Sequence, residues 1–77
     1  MRLPRYYVMR VGEHWEVSHS QRAFPTTRHP DRAGALEAAT AHADAQWREH
    51  RVASEVMLNE DDGAWHRVAT IGSLLEL

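Results

Sequence analysis

The chain contains no cysteine and no lysine. The first absence removes disulfides, thiolate metal ligands and a cysteine nucleophile from consideration. Small secreted domains usually depend on disulfides, so it also points toward a reducing, cytoplasmic setting. Met1-Arg2-Leu3-Pro4-Arg5 lacks the apolar stretch of a signal peptide, and no apolar run approaches the ~20 residues of a membrane span. A basic excess is missing too. Nine arginines stand against eleven acids, for a net charge of -2, whereas dedicated nucleic-acid binders usually carry the opposite balance. No repeat, low-complexity tract or linker divides the 77 residues, which read as one domain, 1–77. A chain this short buries only about 60% of its unfolded surface, so its core is thin.

What is present reads as two hairpins around a helix. Arg5 to Val11, with its Tyr-Tyr-Val-Met run, suits a strand, and Trp15 to Ser18 resumes an extended pattern. With Gly12-Glu13 as a type II′ turn, Val11 faces His14, Arg10 faces Trp15, Met9 faces Glu16 and Val8 faces Val17. Tyr6, Val8, Trp15 and Val17 then form the core face, with Tyr7, Met9, His14 and Glu16 on the other. Two readings stand at Ala23 and Phe24: a short extra strand, or a loop whose Phe24 plugs the core. Asp31 is suited to cap a helix spanning about Arg32 to His50. Steps of 100° place Leu36, Ala39, Ala43 and Trp47 on one stripe and Glu37, Asp44 and Arg48 opposite. The alanines let this helix lie close against a sheet. Ser54 to Asn59 and Ala64 to Ile71 read as a second hairpin around a three-residue Asp61-Asp62-Gly63 loop. Loop length leaves open whether Val68 or Trp65 joins Val56 and Leu58 on one face. The expected fold class is α+β, an antiparallel sheet with one amphipathic helix packed on one face.

Tyr6-Tyr7-Val8, Gly12-x-x-Trp15-x-Val17, Ser18, Phe24, Ala35-Leu36-x-Ala38-Ala39 and Asp62-Gly63 resemble the bacterial domain-of-unknown-function family 2188. The resemblance spans roughly Tyr6 to Thr70. It implies a hairpin–helix–hairpin fold and a bacterial cytoplasmic origin, and carries no activity or catalytic residues. Gly34, the long Ser18 to Pro30 connection and Trp65 depart from the family's pattern.

The candidate chemistry is sparse. Six histidines make the surface charge sensitive to pH near ~6.5, yet none are spaced i,i+4 on the helix or i,i+2 on a strand, as a metal site wants. His14 and His66 lie in separate hairpins and would have to meet across the sheet. Glu60-Asp61-Asp62 lacks the ligand spacing of an EF-hand and reads as a solvated turn. Ser18-His19-Ser20 does not build a catalytic pair, because neighbours on a strand point to opposite faces. No catalytic residue, cofactor or metal is therefore expected, and no enzyme. A nucleic-acid reading would use Tyr7, Trp15, Phe24 and Trp65 for stacking, with Arg5, Arg10, Arg22, Arg28, Arg32 and Arg67 meeting phosphates. The acidic balance opposes it. The favoured expectation is an interaction module, a homodimer or a binder of another protein. Its contacts would be Tyr7 and Met9 on the uncovered sheet face and Leu74, Leu75 and Leu77 at the tail.

Overall fold

The computed structural model describes residues 3–72. Six elements follow in order: β1 (Arg5–Val11), β2 (His14–His19), β3 (Thr27–His29), α1 (Arg32–His50), β4 (Ser54–Asn59) and β5 (His66–Ile71). The strands form a five-stranded sheet in the order β3-β2-β1-β4-β5. It is mixed: β1 and β4 run parallel at the centre, and every other pair is antiparallel. The expected antiparallel hairpins are present, and the parallel β1–β4 pairing between them is the difference from the expected sheet. The helix accounts for the difference, because it carries the chain across the sheet before β4 begins and so allows β4 to enter beside β1 in the same direction.

The first hairpin has the expected register, from Val11↔His14 through Val8↔Val17 to Tyr6↔His19. Gly12 has φ +63 while Glu13 is not in the left-handed region, the φ signs of a type II′ turn. Beyond β2 the extra strand is Thr27–His29 rather than Ala23–Phe24, with Trp15 opposite His29. Pro25 and Pro30 bracket it, each denying the ladder a donor. Asp31 caps the helix as expected, its Oδ1 accepting the Gly34 amide at 2.7 Å. At the other end Arg51 takes a left-handed conformation (φ 55) in a Schellman-type cap, the Arg51 and Val52 amides donating to the carbonyls of Trp47 and Gln46.

The core lies between the helix and one sheet face. Tyr6, Val8, Val17, Val56 and Leu58 pack there against Ala35, Ala39 and Ala43. This ridge contains Ala39 and Ala43 of the expected stripe and adds Ala35. Leu36 is only partly buried against the core, and the partly buried Trp47 lies over Gly72, just past β5. The small side chains face the sheet centre, and the two large ones flank it where there is room.

The second hairpin departs further. Its connection runs from Glu60 to Trp65, longer than three residues, with Asp61 (φ 71) and Gly63 (φ 78) both left-handed. A bulge follows: Val56 pairs with Ala69 but Met57 with Arg67, so Val68 has no partner on β4. Ala69 and Ile71 pack toward the core, while Val68 and Trp65 are 47% and 40% exposed. Neither of the two residues weighed for the core joins it, because the bulge changes the count between them.

Candidate functional site

Helix α1 covers one face of the sheet, and the register lays out the other in rows. Arg5, Glu55 and Thr70 form the first row; Ser18, Tyr7, Met57 and Arg67 the second; Arg28, Glu16, Met9 and Asn59 the third; His14 and Val11 the fourth. Tyr7, Met9 and Met57 occupy the middle. Trp65 joins them from the connection ahead of β5, its ring edge-on to Tyr7 at 5.1 Å between centroids. Tyr7 and Met9 are each partly exposed on this open face, where the pleat was expected to put them.

Charge surrounds this apolar middle in pairs of opposite sign. Glu55, 8% exposed, accepts from Arg5 Nε at 2.9 Å and from Arg67 Nη1 at 3.2 Å. The Arg5 hydrogen bond, reinforced by Arg67, holds the Glu55 carboxyl below its ordinary pKa. On the far side His14 Nε2 meets Glu16 Oε2 at 2.8 Å. Away from this face, Arg10 on the helix side of β1 lies 3.5 Å from Asp61, and Arg32 of α1 pairs with Glu60. Four of the six arginines considered for phosphate contact therefore engage a carboxylate.

A second feature lies on the helix side, and sequence reasoning missed it. Four rings close a circuit, each edge-on to the next: Tyr6–His19 at 4.5 Å, His19–Phe24 at 4.7 Å, Phe24–His42 at 4.8 Å and His42–Tyr6 at 5.4 Å. The circuit walls a pocket of about 340 Å³ floored by Val17 and Ala38 and edged by Thr27 and His29. The signal was available, since the hairpin count that sets Val8 opposite Val17 also sets Tyr6 opposite His19. The contribution of His42 was not, because it depends on how the helix lies over the sheet.

Hydrogen bonds fix the state of these rings. Burial raises the Tyr6 pKa, and its hydroxyl shares a hydrogen bond with His42 Nδ1 at 2.5 Å. His19 Nδ1 accepts the Gln21 amide at 2.8 Å. The neutral His19 imidazole therefore carries its proton on Nε2. Burial, and after it the neighbouring His42, lowers the His19 pKa. Behind Tyr6, His19 and Phe24 lies a smaller cavity of about 60 Å³ lined by Gln21, Gln46 and Ser54. The Ser54 hydroxyl is buried there with no hydrogen-bond partner among the described residues.

The remaining candidates separate. His14 and His66 stand on β2 and β5, with two strands between them, and bond to Glu16 and Asp62 respectively. Ser18 takes the open face opposite Tyr7, while His19 joins the ring circuit. Among the described residues no three His, Asp or Glu side chains converge as a metal would require. Leu74, Leu75 and Leu77 lie outside the described residues. Compared with known protein families, curated proteins and solved structures, the chain shows no significant match.

Proposed function

We propose that this chain is a small non-catalytic binding module of the bacterial cytoplasm that pairs with a second copy of itself through the open sheet face. The observation that carries the reading is the composition of that face: Tyr7, Met9, Met57 and Trp65 grouped at the centre, with Arg5–Glu55–Arg67 on one side and His14–Glu16 on the other. An apolar centre ringed by charges of both signs suits another protein surface. A nucleic-acid surface would instead present arginines unmatched by carboxylates beside its aromatics. A two-fold axis through the patch sets each apolar centre against its equivalent and needs no separate partner gene. The kinship with family 2188 belongs to the same proposal.

Area sets the strength. Five strands about 4.8 Å apart, with about six residues at 3.3 Å each, give a face of roughly 24 by 20 Å. That is roughly 480 Å², below the roughly 600 Å² per partner of the smallest stable specific interfaces. The dimer should therefore be a weak one, dissociating in the micromolar range. Light scattering across a concentration series tests this. We expect dimer mass at ~0.5 mM and its loss in Met9→Asp with the circular dichroism of the fold retained. Leu75→Asp reports whether the leucine-rich tail contributes. A monomer at the highest concentration would refute self-association. Tight, salt-sensitive binding of a single-stranded oligonucleotide, abolished by Tyr7→Ser, would favour the nucleic-acid reading instead.

A further inference from the structure

The ring circuit and its pocket lie across the sheet from the open face and play no part in the proposed pairing. The pocket's volume of about 340 Å³ falls at the small end of the range for small-molecule sites. Its lining combines flat apolar surface from Tyr6, Phe24 and Val17 with the imidazoles of His19, His29 and His42, and includes no carboxylate and no arginine. Among these imidazoles His19 is a defined donor. Its Nδ1 accepts the Gln21 amide, so the neutral ring keeps an Nε2–H, while Nδ1 of His42 is taken by the Tyr6 hydroxyl. Neither Nε2 has a hydrogen-bond partner among the described residues. The Ser54 hydroxyl, 2% exposed and unpartnered behind the shared wall of Tyr6, His19 and Phe24, adds a further unsatisfied polar group at this end of the fold.

We propose that this pocket binds a small planar aromatic molecule carrying a hydrogen-bond acceptor, a carboxylate or a carboxamide. The ring lies against the aromatic walls, where edge-to-face packing is favourable. The acceptor takes the His19 Nε2–H. An ammonium finds no counter-charge in this lining, so an amine of the same shape is disfavoured.

Nitrogen–proton correlation spectra at about pH 7.5, with benzoate, benzamide, benzylamine and cyclohexanecarboxylate as probes, test the assignment. Benzoate and benzamide are expected to shift the signals of Val17, His19, Phe24, Thr27, Ala38 and His42 saturably, in roughly the millimolar range for probes so small. Benzylamine and cyclohexanecarboxylate should bind at least about tenfold more weakly. Ala38→Leu fills the pocket from a partly exposed helix position and should abolish the benzoate shifts. Phe24→Leu removes an aromatic wall and should weaken them even if Ala38→Leu fails to fold. Failure of benzoate and benzamide to saturate these signals would overturn the proposal. So would shifts centred on Tyr7, Met9 and Trp65, benzylamine binding as tightly as benzoate, or benzoate shifts unchanged in a folded pocket variant.

Discussion

His19 is the residue at which environment and titration meet most directly. Burial and His42 hold its pKa below the ordinary 6.5. A base with a lowered folded pKa binds more protons when unfolded. Its contribution to stability is therefore complete above the unfolded value and is lost as pH falls through the folded one. The melting temperature is expected to drop between about pH 7.5 and about pH 5.5. His19→Asn, whose side-chain oxygen can still accept the Gln21 amide, should flatten that drop. Equal slopes in the two proteins would remove His19 from the account. Glu55 acts in the same direction at lower pH: with its pKa held below 4.5, its share is present above that value and lost in stronger acid. At this scale the sequence is readable where the chemistry is local. Asp31 as a cap and Gly12 in a tight turn depend on neighbours within three residues. Leu36 and Trp47 lie at the flanks of the stripe rather than its centre, because helical geometry sets the width of a stripe while the sheet beneath sets which side chains occupy its middle.

At the scale of elements, a close contact between Gly72 and Trp47 marks the end of β5. Gly72 has φ +82, and a Cβ there would run into the Trp47 ring, whose other neighbour is the Arg51 guanidinium 5.3 Å from its centroid. Gly72→Ala should cost about 1–3 kcal/mol, from the left-handed backbone and the displaced indole together. In a chain this size, that lowers the melting temperature by roughly 4–8 °C per kcal/mol. In a Trp47→Ala background the same change should cost only about 1 kcal/mol, because the steric part is already gone. Equal costs in both backgrounds would show that Trp47 does not press on this glycine. The elements themselves were mostly legible. β1 and β2 follow from alternation and a two-residue turn, and α1 from its cap and alanine spacing. The face of β5 was not, since one unpaired residue at Val68 reverses every assignment on one side of it. The parallel β1–β4 pairing was beyond local reading as well, because no short-range feature selects it over another order.

For the whole molecule, the central pairing joins residues a constant fifty positions apart, from Arg5↔Glu55 onward. Closing a loop of that length costs about 3–4 kcal/mol of chain entropy before any core contact forms. The helix shortens the search by holding its own segment rigid, but β4 still arrives after three strands and a helix. Refolding from denaturant is expected to take milliseconds to seconds, in the range of mixed α/β topologies and slower than helical bundles of this size. Until β4 docks, β1 presents one bare edge running from Arg5 to Met9, with apolar side chains on both sides of it. Another molecule's β1 is as good a match for that edge as the correct strand. Refolding yield should therefore fall as protein concentration rises, even where the native protein stays soluble, and a yield independent of concentration would contradict this. The strand best protected in the finished sheet is thus the one most open to mispairing while the sheet is being made, and dilution during refolding should protect it.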